Sequence, residues 1–391
     1  MSSIIKWVWQ DEKYPSFPFD STKLDQVLTE VARNTGKLEG TVEALSDQNI
    51  TGIKIETSIN EILASSAIEG EILSRDSVRS SVRKRLDDTF DYSNDRSTHH
   101  TDGLVDLLID TSINHNNLTE ERLHGWHNAL FPSGFSGLLK IDVAKYRKEE
   151  MSVVSSKGTQ EKVHYIAPPS EVMSKEIEGL FAYVNNAKEN PYIKSAIVHL
   201  WFVLIHPYDD GNGRITRALT NYILSKELGF DYKFFSISTA VKNDLKGYYD
   251  ILERSGNLFY NRDFDFTEWI LWHTNMINTA IDISLSNIKI VIDKTKFWDR
   301  ARDKSINVHQ EKVIKKLLDA GVNGFEGDLT NKKYRAITKT SAATANRHIK
   351  DLLDKKILRE VEGHSGRSVR YSILWNSLQY IVSKEKDPLD I

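Results

Sequence analysis

The stretch that decides how this chain is interpreted reads His206-Pro207-Tyr208-Asp209-Asp210-Gly211-Asn212-Gly213-Arg214-Ile215-Thr216-Arg217. It follows an apolar run, Ala196–Ile205, which predicts a buried helix, and it leads into a second predicted helix from Ile215 to about Leu228. The Gly-Asn-Gly sequence permits unusual backbone angles and the close approach of a ligand. The N–H groups at the start of the following helix, with the positive end of the helix dipole behind them, form an anion site whose usual occupant is phosphate.

Four side chains in this stretch extend that interpretation. Arg214 and Arg217 are three positions apart on the first helical turn and supply two planar forks suited to phosphate or carboxylate oxygens. Asp210 would repel a bare phosphate, but the arrangement becomes favourable with Mg²⁺ between them. His206, whose side chain has an ordinary pKa of about 6.5, is the natural group to take a proton from a hydroxyl nucleophile. The stretch therefore predicts phosphate-ester chemistry.

The same residues resemble the signature of the Fic (filamentation induced by cAMP) family, His-Pro-Phe-x-Asp/Glu-Gly-Asn-Gly/Lys-Arg-x-x-Arg. Every position matches except the third, where Tyr208 replaces phenylalanine. The ring at that position is normally buried, so the added hydroxyl group needs a hydrogen-bond partner. The similarity extends over roughly residues 50–280.

The resemblance implies an enzyme that transfers AMP from ATP to a Ser, Thr or Tyr hydroxyl group of a target protein. His206 would deprotonate that hydroxyl group, and Asp210 would hold Mg²⁺ bridging the α- and β-phosphates. The cradle for the phosphates would be Gly211, Asn212 and Gly213, with Arg214 on the β- or γ-phosphate.

The resemblance also implies a flap hairpin at about 150–166, and two short β-prone runs in this region independently favour a hairpin. Lys162, Val163, His164 and Tyr165 would then lie next to the nucleotide and the target segment. The pair Tyr248-Tyr249 resembles aromatic residues that line the adenosine pocket, although ordinary core packing explains such a pair equally well.

A second motif concerns regulation. Ser65-Ser66-Ala67-Ile68-Glu69-Gly70 resembles the family's inhibitory motif, Ser/Thr-x-x-x-Glu-Gly/Asn, on a predicted helix at about 53–70. Ser65 and Glu69 share one helix face, and a negative charge in the last helical turn is disfavoured by the helix dipole unless a cation offsets it. The resemblance implies that Arg217 is this cation, and that Glu69 then denies the γ-phosphate its site. The alternative is a solvated surface glutamate.

The amino-acid composition limits the number of domains and the classes of protein to which the chain can belong. The chain has 391 residues, 40% hydrophobic and 27% charged, which predicts about two or three globular domains. A net charge of −3 argues against a polycation that coats nucleic acid, and the lack of cysteine excludes disulfides and thiolate zinc sites. The amino-terminal residues predict no secretory signal, and the longest apolar run is about half the length of a membrane span. We therefore expect a soluble, cytoplasmic protein with no membrane partner.

The predicted fold is mainly α. We expect an N-terminal helical region over 1–100 that includes the inhibitory helix, a Fic-type catalytic core with its flap over 101–285, and a linker helix with a winged-helix-like domain over 286–391. Three helical patterns followed by a hairpin, Leu358–Glu362 and Val369–Leu374, predict the last of these.

The C-terminal part leaves other functions open. Residues 330–371 carry eleven Lys and Arg against four Asp and Glu, with Arg347, Lys350, Arg367 and Arg370 on the expected recognition helix and wing. Such a surface is typical of DNA binding, but equally of a protein-docking or homodimer module. The rivals to AMP transfer are therefore a DNA-binding transcriptional regulator whose Fic core senses nucleotide, removal of AMP from proteins by the same site, and a toxin–antitoxin role.

Overall fold

The computed structural model describes residues 6–157, 160–229, 234–319, 325, 327–364 and 369–374. By its internal contacts the chain divides into two compact units, Met1–Leu285 and Ser286–Ile391. The described residues are mostly helical, which confirms the predicted fold class. Among them, no helix combines the length and the apolar composition needed to cross a membrane.

Helices dominate the first unit. They are α1 (Asp25–Glu43), α2 (Asp47–Ile68), α3 (Arg75–Leu86), α4 (His99–Ile113), α5 (Glu120–Leu130), α6 (Met173–Asn186), α7 (Pro191–Ile205), α8 (Asn212–Leu228), α9 (Ile237–Asn243), α10 (Leu245–Gly256) and α11 (Thr267–Ala301), which begins in this unit. Two antiparallel pairs accompany them: β1 (Phe135–Ser136) with β2 (Leu139–Lys140), and β3 (Ser152–Lys157) with β4 (Gln160–Ile166).

The centre of this unit is formed by α7 and α8, which pack against each other. Asn190 caps α7 by accepting a hydrogen bond from the N–H of Tyr192, and Pro191 occupies the first turn, where its missing N–H costs nothing. Nearly all of α7 is buried, as its apolar sequence requires, and α8 is buried along most of its length. Residues 206–211, which join the two helices, are therefore held by the core.

Helix α2 differs from its prediction at the amino-terminal end. It begins at Asp47 rather than at about residue 53, because the Ser46 side chain accepts a hydrogen bond from the N–H of Asn49 and starts the helix there. The helix packs against α3, α4, α8 and α9, so its carboxyl end is brought to the first turn of α8.

The predicted flap hairpin is present as β3 and β4, with a register shift between Val153 and Val154. The amino-terminal segment packs on its base. The ring of Trp7 meets Tyr165 edge-on at 5.4 Å between centroids, and Trp9 Nε1 donates to the carbonyl of Ile166 at 2.7 Å. The β1–β2 pair was not predicted, because two residues per strand are too few to show an alternating pattern.

The second unit contains α12 (Val308–Asp319), α13 (Asn331–Thr338), α14 (Ala342–Asp354), β5 (Leu358–Glu360) and β6 (Tyr371–Ile373). Its core gathers apolar side chains from all three helices and both strands, including Ile314, Tyr334, Leu352 and Ile373. The element order is the one that the sequence predicts, although the winged-helix assignment itself stays a prediction. Arg367 and part of the expected wing turn lie outside the described residues.

Candidate active site

The loop between α7 and α8 is closed by its own asparagine. Asn212 Oδ1 accepts from the N–H of Tyr208 at 2.9 Å, and Asn212 Nδ2 donates to the carbonyl of the same residue at 2.7 Å. Both residues are buried. Gly211, with φ of +83°, occupies the left-handed region just before the helix, where a side chain would also overlap the ring of Phe131. The backbone of this loop is therefore fixed without a ligand.

Arg147 holds the same loop from outside. Its Nε donates to the carbonyl of His206 at 2.8 Å, Nη2 donates to Pro168 at 2.6 Å, and its own N–H donates to the carbonyl of Pro207 at 2.9 Å. The residue is 3% exposed, so these backbone partners satisfy a buried charge. Sequence reasoning missed Arg147, because nothing in its local pattern distinguishes it from a surface arginine.

The ring of His206 is oriented by the backbone. His206 itself has φ of +50° at the end of α7, and its Nδ1 lies 3.2 Å from the carbonyl of Val203. A carbonyl can only accept, so Nδ1 carries the hydrogen and Nε2 keeps its lone pair in the neutral ring. Burial lowers the pKa of His206, which outweighs the opposite effect of this hydrogen bond. The geometry is that of a base ready at neutral pH.

His206 borders a cavity of about 680 Å³. Eight of the residues predicted from the sequence line it: Glu69, His164, Tyr165, His206, Asn212, Gly213, Tyr248 and Tyr249. The others, which do not line it, are Lys162, Val163, Asp210, Gly211, Arg214 and Arg217. A cavity of this volume is large enough for a nucleotide.

The two tyrosines predicted to line the adenosine pocket, or to pack in the core, differ in their surroundings. Tyr248 is buried, and its hydroxyl group lies 3.0 Å from His199 Nε2, so it belongs to the core as well as to the cavity wall. Tyr249 is 48% exposed and its hydroxyl group donates to the carbonyl of Ile68 at 3.1 Å, which ties α10 to the end of α2.

The flap is attached to α10 by one carboxylate. Glu253 accepts from Lys162 Nζ at 2.7 Å and from His164 Nδ1 at 2.6 Å. Glu253 lines the cavity together with His164, so Lys162 lies near the cavity wall without forming part of it. This carboxylate gave no signal in the sequence.

The glutamate of the second motif contacts α8. Glu69 Oε1 lies 2.9 Å from Arg217 Nη2, and Arg217 also donates from Nε to Ser65 Oγ at 3.0 Å. Arg217 is 1% exposed, so the contact is not a solvated surface pair. A Cβ at Gly213 would overlap Glu69 Oε1, which shows how closely this carboxylate covers the first turn of α8.

Arg214 points to a different carboxylate. Its Nη1 donates to Glu71 Oε2 at 3.0 Å, and its guanidinium group lies over the ring of Phe131 at 4.8 Å. The other carboxylate oxygen of Glu71 is 2.6 Å from His100 Nε2. Neither Glu71 nor His100 was singled out by the sequence.

Comparison with known proteins agrees with this geometry. The Fic/DOC family matches residues 117–224, and a family described only as a domain of unknown function, DUF4172, matches residues 7–87. A Fido domain-containing protein of Dictyostelium discoideum is 31% identical over 125 residues, which are 31% of this chain and 82% of that protein. The chain belongs to the Fic/DOC family.

Two kinds of relative add detail. A protein of Aquifex aeolicus (strain VF5) named "Probable protein adenylyltransferase" is 35% identical over 80 residues, but the match spans only 20% of this chain and 23% of that protein. A Fic family protein of Desulfovibrio desulfuricans G20 has a similar structure, with a TM-score of 0.54 and 18% identity over 92% of this chain and 98% of that chain. At such identity the structural likeness establishes the fold alone.

The residues of this Fic loop fit a metal that arrives with a nucleotide better than a resident one. Within the described residues no three His, Cys, Asp or Glu side chains cluster as a metal site. Asp210 is 39% exposed, with Oδ1 accepting from the N–H of Gly211 and Oδ2 from Ser136 Oγ. One carboxylate beside the predicted phosphate cradle fits Mg²⁺, which takes one or two carboxylates together with substrate phosphate oxygens.

Proposed function

We propose that this protein transfers AMP from ATP to a Ser, Thr or Tyr hydroxyl group of a target protein. The observation that carries the proposal is the ring of His206, which holds its Nδ1 hydrogen against Val203 and borders a cavity that also reaches the first turn of α8. A base and an anion site thus meet at one cavity, as transfer to a hydroxyl group requires.

The step balances with the groups at hand. The acceptor oxygen bonds to the α-phosphorus of ATP as the bond from that phosphorus to the bridging oxygen breaks. Pyrophosphate leaves with the electron pair, and the hydroxyl proton passes to His206 Nε2. The lowered pKa of His206 keeps this nitrogen unprotonated at neutral pH.

The nucleotide contacts follow from the loop. The N–H groups near Gly211, Asn212 and Gly213 cradle the phosphates, and Arg214 contacts the β- or γ-phosphate. Asp210 would hold Mg²⁺, which neutralises charge on the phosphates when it is bound. The nucleoside occupies the part of the cavity lined by Tyr248.

We infer that this arrangement inhibits the site. Glu69 covers Gly213 and occupies Arg217, so its negative charge lies where a terminal phosphate would approach the start of α8. Two anions at one helix terminus repel each other, and the tethered carboxylate is always present. ATP therefore binds without its productive alignment until Glu69 turns away.

The test uses ATP labelled on the α-phosphate with the purified protein and a cell lysate. We expect Glu69→Gly to label itself or lysate proteins much more strongly than the native chain, and Glu69→Gly with His206→Ala to label nothing. Glu56→Gly is the matched control, since Glu56 lies on the same helix and pairs with Arg75 at the surface. If neither the native chain nor folded Glu69→Gly labels any protein, the transfer activity is refuted.

Exposed cations on the second unit favour DNA binding as a second candidate function. Helices α13 and α14 are joined by a three-residue turn, 339–341, with Lys339 at φ of +59° and Ser341 as the cap of α14. Five exposed lysines and arginines of this helix pair make no ion pair within the described part of the chain: Lys332, Arg335, Lys339, Arg347 and Lys350. Such a helix-turn-helix presents its second helix to the major groove.

Fluorescence anisotropy with labelled duplex DNA at several salt concentrations tests this candidate. Arg347→Ala with Lys350→Ala should weaken binding and lower the salt dependence, because two phosphate or base contacts are lost. Lys315→Ala is the control, since Lys315 already pairs with Glu311. An affinity that these substitutions leave unchanged would remove the candidate. Removal of AMP, a homodimer and a cytoplasmic location stay predictions of the sequence.

A further inference from the structure

Two carboxylates flank one glycine at the end of α2. Gly70 has φ of +79°, and the N–H groups of Gly70 and Glu71 donate to the carbonyls of Ala67 at 3.1 Å and Ser66 at 3.0 Å. This is the Schellman arrangement, in which a glycine in the left-handed region ends a helix and turns the chain. Glu69 and Glu71 thereby both lie close to the first turn of α8.

Each of these carboxylates holds a different arginine. Glu69 Oε1 lies 2.9 Å from Arg217 Nη2, and Glu71 Oε2 lies 3.0 Å from Arg214 Nη1. The arginine side chains are 1% and 7% exposed, so water screens neither contact strongly. Both guanidinium groups of the anion site are thus occupied by one short segment.

His100, on the first turn of α4, completes the second contact. Its Nε2 lies 2.6 Å from Glu71 Oε1, so both oxygens of this carboxylate have partners. Burial raises the pKa of Glu71, but the hydrogen bond with His100 and the charge of Arg214 together outweigh it and leave the pKa below its ordinary value. Glu71 is therefore ionised at neutral pH.

We propose that Glu71 is a second inhibitory carboxylate, which competes with the terminal phosphates of the nucleotide for Arg214 while His100 holds it in place. The inference rests on the function proposed above, in which Arg214 contacts those phosphates. Carboxylate and phosphate oxygens accept from the same guanidinium N–H groups, so occupation by one excludes the other. Turning Glu69 away removes the carboxylate from Arg217 only, and Arg214 stays paired until Glu71 also releases it.

If Glu71 had a different role, its removal would change the affinity for the nucleotide in the opposite direction. If Glu71 only oriented Arg214 toward the phosphates, its removal would weaken nucleotide binding, because the arginine would lose its fixed geometry. Inhibition requires that removal strengthen binding. The affinity for the nucleotide therefore decides between the two roles.

The experiment is calorimetric titration of Mg-ATP into the full chain, with His206→Ala in every variant so that ATP is not consumed. In the Glu69→Gly background we expect Glu71→Gln to lower Kd by about ten-fold, since a competing charged hydrogen bond is removed. His100→Ala should lower Kd less, by about two- to three-fold, because Glu71 loses one of its two partners. Glu56→Gln is the control for a change of one charge on the same helix, and its Kd should not move.

The outcomes separate the two proposals. If Glu69→Gly does not bind Mg-ATP at all, the proposed function fails. If Glu69→Gly binds but Glu71→Gln leaves Kd unchanged or raises it, only the inhibitory role of Glu71 is overturned. If Glu71→Gln unfolds at a lower temperature than the native chain, His100→Ala with Glu71 intact gives the same test. An unchanged or raised Kd for Mg-ATP in His100→Ala then overturns the inhibitory role of Glu71 as well.

Discussion

Tyr208 illustrates how one added polar atom is accommodated in the core. Its buried hydroxyl group lies 2.8 Å from His124 Nδ1, and its ring stacks on His127 at 4.0 Å between centroids. His127 accepts from the N–H of Ala144 at its Nδ1, so its Nε2 donates to the carbonyl of Asp210 at 3.1 Å. The hydrogen-bond partner that the sequence required for this hydroxyl group is therefore His124. The neighbouring His127 positions the loop through the carbonyl of Asp210.

Substitution of Tyr208 by phenylalanine, the usual residue of the signature, should cost little. We expect a loss of about 1 kcal/mol in the free energy of unfolding, because one hydrogen bond to a half-buried histidine disappears. Labelling by the Glu69→Gly form should stay the same. Urea unfolding and the labelling assay measure both quantities. A loss of transfer would mean that the hydroxyl group itself takes part in the site.

At this scale the sequence predicts contacts whose geometry is local and misses those that are not. Ser65 and Glu69 are four positions apart on one helix, so their shared direction follows from helical geometry. Arg214 and Glu71 are separated by 143 positions, and His100 and Glu71 by 29. No spacing rule connects such residues, and only the packing of α2, α4 and α8 brings them together.

At the scale of elements, the position of α2 is fixed by a buried carboxylate. Glu61 is 5% exposed and accepts from Ser236 Oγ at 2.8 Å, from the N–H of Ser238 at 3.0 Å and from Ser238 Oγ. These donors surround the start of α9, where the helix dipole also favours a negative charge. Helix α2 is thus attached to the core at its middle, and its last turn projects toward α8.

Replacement of Glu61 by alanine should lower the free energy of unfolding by about 2–4 kcal/mol, because buried donors lose their acceptor and a cavity is left. Guanidinium or urea titration of the full chain measures the loss. Glu56→Ala is the control on the same helix, and we expect a change within about 0.5 kcal/mol there. A small effect at Glu61 would show that α9 and water can replace the carboxylate.

The elements themselves were largely predictable. Long amphipathic helices with side-chain caps, such as α14 after Ser341, follow from periodicity and capping residues. The predicted start of α2 is too late, because the polar residues Asp47–Asn49 carry little apolar signal and only the cap at Ser46 marks the boundary. The β1–β2 pair depends on its neighbours rather than on its own sequence.

At the scale of the whole molecule, buried histidines link stability to pH. His127, His199 and His273 are at most 1% exposed, and burial lowers the pKa of His127 to about 4, that of His273 to about 3 and that of His199 well below its ordinary value. An unfolded histidine, with a pKa of about 6.5, takes up a proton more readily than these folded ones. The stabilisation is therefore complete above about pH 6.5 and falls as the pH drops below it.

We expect the free energy of unfolding to decrease between pH 6.5 and about pH 5 by up to about 1.4 kcal/mol per pH unit for each of these histidines. Urea unfolding across this range gives the slope. His273→Leu should reduce this slope by the contribution of one histidine. The variant should fold, since neither ring nitrogen of His273 has a hydrogen-bond partner among the described residues. A stability that is flat from pH 7 to pH 5 would contradict the expectation.

The contacts of Glu69 and Glu71 with α8 are made within a single chain, and that has a consequence for how this protein would be controlled. A tethered group acts at a local concentration on the order of millimolar, whatever the amount of protein present. Dilution cannot release such a group, and neither can the loss of a separate inhibitor. The inhibition proposed here should then be the same at any amount of the protein, and an event that acts on this chain itself would be needed to relieve it.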